Sequence, residues 1–241
     1  NVIRPAMDPF ASKNIELDDA TVVATLQHIG ILSGSSPRDP RFTRPDGSSG
    51  EVTRTARIVR EGAAPTPDTP LVVQVSRWDP LKDMAGVMHA FAHEPGNKNA
   101  CLVLAGPDVE SVSDDPEGKQ TLAEVTDQWR ALPDDLKRRI SIVCLPMDDA
   151  EENAIMVNAL QRHASVVVQK SLKEGFGLTV TEAMYKGRPV VASAVGGIVD
   201  QIRDGVDGLL VADPHDLVSV GQAIAALLSD RERAQEMGRQ A

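Results

Sequence analysis

From residue 71 onward, short apolar runs alternate with longer segments of helical periodicity, and that alternation leaves few folds open to the chain. Leu71 to Ser76, Cys101 to Ala105, Ile140 to Leu145, Ser165 to Gln169, Pro189 to Ser193 and Gly208 to Val211 read as short buried strands. Between them, Met84, Val87, Met88 and Phe91 keep an i, i+3, i+4, i+7 rhythm, and Thr121 to Leu132, Ala150 to His163 and Leu217 to Leu228 are expected helices. Strands joined through helices require right-handed crossovers, which predicts an α/β fold with a doubly wound, mostly parallel, Rossmann-like sheet. At 241 residues and 41% hydrophobic content, the chain can hold one large or two small domains around a sizeable core. Ligands on such a sheet bind beyond the carboxyl ends of the strands. Here that rim collects Arg77 and Lys82 after the first strand, Gly106 after the second, Pro146 and Met147 after the third, and Lys170 to Gly177 after the fourth.

Three segments are expected. Residues 1–32 read as an interdomain connector, with Pro5, Pro9 and Phe10, followed by a first helix over Leu17 to Leu32 whose apolar face runs through Val22, Leu26 and Ile29. Residues 33–69 are rich in Ser, Gly, Pro and Arg without apolar periodicity, and are expected to form an irregular, partly mobile insertion. Residues 70–241 are the expected ligand-binding domain. A net charge of -10 and only seven aromatic residues argue against nucleic acid or an anionic membrane as partner. With no apolar run of membrane length and no signal-like N-terminus, a cytoplasmic location is the default expectation. Cys101 and Cys144 each lie in a strand-like run without CxxC or zinc spacing, so reduced core thiols are expected.

Two constellations on the rim carry chemistry. In Glu174-Gly175-Phe176-Gly177-Leu178-Thr179-Val180-Thr181-Glu182, two carboxylates eight positions apart flank a glycine turn that opens a helix over Leu178 to Tyr185, which Gly187 and Pro189 close. Amides at such a helix start attract phosphate, and glycine at 175 and 177 admits a ligand close to the backbone. A carboxylate repels phosphate but accepts paired hydrogen bonds from vicinal hydroxyls. One can therefore hold a hexose on one side of a diphosphate and the other a ribose beyond it. In Val75-Ser76-Arg77-Trp78-Asp79-Pro80-Leu81-Lys82-Asp83, two cations five positions apart can converge on one diphosphate and stabilise it as a leaving group. The competing reading pairs Arg77 and Lys82 with Asp79 and Asp83 on the surface, and makes Glu182 a solvated helix residue.

Taken together, these motifs resemble the C-terminal, donor-binding domain of the retaining GT-B glycosyltransferases of family four. Within that family, Ile3 to Asn14, Gln74 to Asp83, Asp114 to Gly118, Asn158 to Arg162, Val168 to Thr179 and Val195 to Ile198 are similar to the trehalose synthases of glycosyltransferring type. The resemblance implies a hexosyltransferase that moves glucose from a nucleoside diphosphate glucose, in its ADP, UDP or GDP form, to free glucose, without an obligatory metal. It implies that Arg77 and Lys82 hold the diphosphate and Glu174 the donor sugar. Glu182 would hold the ribose, Gly175, Phe176, Gly177, Leu178 and Thr179 would add backbone contacts, and Leu145, Pro146 and Met147 would border the base. It also implies an N-terminal acceptor-binding domain and a returning C-terminal helix that have no counterpart here. This chain alone is then expected to bind donor without efficient turnover, and a homodimer is a candidate state of the intact protein. Val199-Asp200 replaces the family's usual Pro-Glu, which leaves the role of Asp200 open.

Alternatives are a trehalose phosphorylase-like enzyme that uses phosphate in place of a nucleotide, and a non-catalytic nucleotide-binding module. Other features call for no ligand. His89 and His93 are four apart on a helix but lack an acidic neighbour, and His163 suits a helix C-terminus. Asp114-Asp115 precedes a proline turn, and Asp148-Asp149 caps the next helix.

Overall fold

A computed structural model describes residues 6–110 and 115–241, so Ile3 to Pro5 and Asp114 lie outside the described residues. In chain order the elements are α1 (Asp19–His28), β1 (Arg41–Thr43), β2 (Ser49–Glu51), β3 (Arg57–Val59), β4 (Leu71–Val75), α2 (Met84–His93), β5 (Cys101–Pro107), α3 (Pro116–Arg130), α4 (Asp134–Lys137) and β6 (Ile140–Leu145). They continue with α5 (Ala150–His163), β7 (Val166–Gln169), α6 (Leu178–Tyr185), β8 (Val190–Ser193), β9 (Leu209–Val211), α7 (Leu217–Ser229) and α8 (Arg231–Gln240).

A seven-stranded sheet runs in the order β3-β6-β5-β4-β7-β8-β9. All its pairings are parallel except the edge strand β3, which lies antiparallel to β6. Beginning at the central β4, the chain winds outward through β5 and β6, then returns and winds the other way through β7, β8 and β9. The strand order therefore reverses between β4 and β7, and the crevice at their carboxyl ends is the topological switch point. Alternate side chains of each strand enter two cores. Val72, Leu102 and Leu104 pack with Met84, Val87, Met88 and Phe91 of α2 and with Trp129, Ile224 and Met237. Leu71, Val73 and Val75 pack on the opposite face with Leu26, Ile155, Leu160 and Val180.

The insertion is more ordered than its composition predicts. β1 and β2 form an antiparallel hairpin, and β3 joins the main sheet, so residues 33–69 are irregular only in part. Phe42 and Val52 reach the second core. The principal polar anchor is Glu152 on α5, which accepts hydrogen bonds from the Thr53 amide and hydroxyl (3.1 and 3.0 Å) and from the Arg54 guanidinium (2.7 Å). Its carboxylate is 6% exposed and fully paired, which makes it a structural group. Three-residue strands with one buried residue each, Phe42 in β1 and Gly50 in β2, give no readable period, which is why sequence pattern misses them.

Candidate functional site

The site is built on loops that leave β4, β5, β6 and β7 at the switch point. After β4, the chain turns through Trp78, whose indole is buried and donates to the Pro107 carbonyl at 2.8 Å. That anchor holds the loop while Arg77, 75% exposed, projects from it and pairs with Asp79 at 3.2 Å. Lys82 turns inward instead. Its ammonium meets Glu174 Oε2, and both side chains are largely buried. The surface pairing weighed from sequence thus holds for Arg77 with Asp79 and fails for Lys82, which bridges two strand ends.

Those ends are locked by a polar network that sequence reading does not foresee. Gln74 on β4 donates to the Lys82 carbonyl at 2.6 Å and accepts from the Lys170 amide at 2.9 Å. The Lys170 ammonium, 1% exposed, pairs with Asp83. Asp83 also caps α2 by accepting from the Gly86 amide at 3.0 Å, with its own backbone in the left-handed region at φ 41°. A backbone bond from Leu172 N to Leu81 O at 2.8 Å closes the seam. Removing one partner of such a buried pair leaves an uncompensated charge, so the network fixes the separation of the Lys82 and Glu174 loops.

The glycine turn rests on a second loop. Gly177 has φ 88° and starts α6 with no side-chain cap, so the first amides of that helix face the crevice without competition from a capping side chain. Beneath it, Gly196-Gly197 press backbone to backbone on Glu174-Gly175-Phe176, and Gly197 N donates to Gly175 O at 2.9 Å. Gln201 ties both loops together, donating to the carbonyls of Phe176 and Gly197 (3.3 Å for the latter) while Thr181 donates to its Oε1 at 2.6 Å. The Val195 to Ile198 string thus supports the turn.

A cavity of about 510 Å³ lies over these loops. Of the predicted residues, Arg77, Lys82, Glu174, Phe176, Gly177, Leu178, Thr179, Glu182, Leu145 and Met147 line it. Gly175 and Pro146 are not on its wall; Pro146 instead accepts a hydrogen bond from Asn153 at 2.9 Å. Glu182 is 6% exposed, so it is not the solvated helix residue of the alternative reading. Among the described residues no group of three or more His, Cys, Asp or Glu side chains could hold a metal ion. His89 and His93 are engaged with Gln128 and with the His89 carbonyl. Burial pushes the His163 imidazole down, with help from Arg188, and this outweighs the helix-end effect expected from sequence. Cys101 and Cys144 are free thiols, the latter pushed up to about 11 by burial.

Sequence reading also passed over Lys186, at the far end of α6. It is 5% exposed and donates to Gln161 Oε1 (2.8 Å), Asn14 Oδ1 (3.2 Å) and the Glu182 carbonyl (3.3 Å). Burial pushes its ammonium down to about 7, against the attraction of Glu182. A lysine depressed in the folded state opposes folding below that value, and the penalty is relieved as pH rises from 7 toward the ordinary 10.5. Over this window, stability should rise by up to about 1.4 kcal/mol per pH unit more in wild type than in Lys186→Met. Urea unfolding of both proteins at pH 7 and pH 9 measures the difference; parallel shifts would remove Lys186 as the cause.

The model of the family described as glycosyl transferases group 1 matches residues 57–241, beginning at β3. The trehalose synthase of Rubrobacter xylanophilus is 35% identical over 99% of the chain and 46% of its own length. The chain spans about half the length of the curated relatives it matches. Among solved structures, the sucrose-phosphate synthase of Thermosynechococcus elongatus superposes with a TM-score of 0.58 at 31% identity, over 72% of this chain and 40% of that one. HepE of Anabaena, solved in complex with UDP-glucose, superposes with a TM-score of 0.56 at 21% identity, over 72% of this chain and 43% of that one.

Proposed function

Because this chain belongs to the group 1 glycosyl transferases and carries a GT-B sheet, we propose that it binds a nucleoside diphosphate glucose at the switch point for retaining transfer of glucose to glucose. The observation that carries this reading is the convergence of Arg77, Lys82, Glu174 and Glu182 on one cavity at the ends of β4 and β7. Arg77 supplies an exposed planar fork and Lys82 a largely buried point charge for the diphosphate. The uncapped amides of α6 add a third positive element. Glu174 accepts from the sugar hydroxyls while Lys82 and the Gly175 amide hold its oxygens in place. Glu182, one turn into α6, accepts from the ribose, and Leu145 and Met147 form the apolar wall against the base. The UDP-glucose bound by HepE and the trehalose synthase relatives support a nucleotide sugar as donor and a glucosyl acceptor.

In this reading the bond from the glucose anomeric carbon to the diphosphate oxygen breaks, and its electron pair leaves with the diphosphate. Lys82, Arg77 and the helix amides stabilise that charge, which develops only in the transition state. The acceptor hydroxyl adds on the face the diphosphate leaves, and its proton passes to the departing oxygen. Its pocket is assigned to the portion of the longer relatives that this chain does not span, so the chain alone binds donor without efficient turnover.

Calorimetric titration with ADP, UDP, GDP and their glucose conjugates tests the assignment. Glu182→Ala should weaken bare diphosphates and sugar conjugates alike, by about tenfold or more, the worth of one charge-assisted hydrogen bond. Glu174→Ala should matter mainly when glucose is attached. Equal losses for both ligand classes in both variants would contradict the division of roles.

A further inference from the structure

Lys13 sits on the carboxylate of the site that Lys82 and Arg77 do not engage. Its ammonium lies 3.0 Å from Glu182 Oε1, and its side chain, 35% exposed, forms part of the cavity wall. Glu182 Oε2 is buried and has no hydrogen-bond partner. The backbone beneath Lys13 is fixed, because Asn158 donates to the carbonyls of Ser12 (3.1 Å) and Ile15 (2.8 Å), and Arg162 to those of Asn14 (3.3 Å) and Ile15 (2.9 Å). Two sequence strings with no local role, one around residue 13 and one from Asn158 to Arg162, are thus partners, and together they aim one ammonium at Glu182.

This arrangement conflicts with a ribose site that is open from the start. A vicinal diol binds a carboxylate best by donating to both of its oxygens, yet here one oxygen holds an ammonium and the other is closed to solvent. A neutral diol displaces an ammonium from a carboxylate poorly unless the ammonium gains another anion. A diphosphate in the same cavity supplies one.

We infer that Lys13 is a displaceable cover on the ribose-binding carboxylate, which leaves Glu182 and turns to the diphosphate as a phosphorylated nucleotide binds. The inference rests on the donor-site reading above. Lys13 is then a specificity-determining residue that admits nucleotides and resists unphosphorylated nucleosides, although the nucleoside contacts themselves are the same.

The test is a pair of affinities, for a nucleoside and for its diphosphate (adenosine with ADP, uridine with UDP, guanosine with GDP), measured on wild type, Lys13→Met, Lys13→Gln and Lys13→Arg. In the Met and Gln variants the nucleoside should bind about tenfold more tightly and the diphosphate no more tightly, so the preference for phosphate contracts by about tenfold or more. Lys13→Arg keeps the cation and should keep the wild-type preference. Two neutral variants allow for one that fails to fold, as judged by thermal melting. If wild type binds a diphosphate and neither neutral variant gains nucleoside affinity, the inference is overturned and the donor reading stands. If wild type binds no diphosphate at all, both fall.

Discussion

Alanine at both Arg77 and Lys82 is expected to reduce affinity for nucleoside diphosphates by about 10²–10⁴-fold, since two charge-assisted hydrogen bonds contribute roughly 3–6 kcal/mol together. The two residues should not contribute equally. Arg77 is three-quarters exposed and already shares its charge with Asp79, so solvent and a competing carboxylate discount it. Lys82 is largely buried between two loops. Its removal also leaves the Glu174 carboxylate facing an incoming diphosphate with only the Ser171 hydroxyl and the Gly175 amide beside it. Lys82→Ala alone should therefore account for most of the double variant's loss, and calorimetry on the two single variants separates the contributions. An Arg77→Ala loss larger than that of Lys82→Ala would show that the diphosphate sits outside the crevice. Circular dichroism and thermal melting accompany these measurements, because loss of the ion pair also unties the β4 and β7 loops.

Gly196→Ala should damage the site more severely than its distance from the cavity suggests. Gly196 has φ 53°, and a Cβ there would lie 1.7 Å from the Glu174 carbonyl oxygen and 2.8 Å from its carbon. Backbone cannot rotate away as a side chain can, so the Glu174 to Gly177 loop must lift off its support or the Gly196 turn must unfold. Either response moves Glu174 relative to Lys82. The expected outcome is a loss of about 2 kcal/mol or more in stability from the clash, on top of the cost of a left-handed alanine, together with loss of measurable donor binding. Gly205→Ala is the matched control: it shares a positive φ of 77° but has nothing within 4 Å of its Cβ position, so it should carry only the conformational cost and bind donor normally. Chemical denaturation and titration of both variants distinguish crowding at the site from backbone preference alone.

The sheet was legible because its buried parallel strands are short runs of apolar residues, such as Leu71–Val75 and Val166–Gln169. α5 and α6 were readable to the residue from their caps and their apolar rhythm. The candidate site was legible where its residues form a local pattern, as in the glycine turn and the two cations that line the cavity. It was opaque where its framework depends on residues brought together from afar. Lys170 and Asp83 are 87 positions apart, Lys186 and Asn14 are 172 apart, and Glu152 looks in sequence like a helix-dipole residue until the insertion folds onto it. Lysines give the weakest sequence signal of all, since they usually lie in solvent, yet Lys13, Lys82, Lys170 and Lys186 all face carboxylates or enclosed carbonyls here. Gly196 and Gly197 stood out only as part of a similar string, and their physical reason is the loop they support.

The seam between β4 and β7 has a consequence for the order of folding. Val72 pairs with Val166 across roughly ninety residues of chain, the longest closure among the strand pairings at the centre of the sheet. β4, β5 and β6 can assemble first from nearer partners, burying much of one core while Lys82 still has no Glu174 and Asp83 no Lys170. A chain arrested there would have strands, helices and considerable compactness, yet no crevice. On that order of assembly the proposed donor site forms late, since its walls come together only once the two halves of the sheet have met.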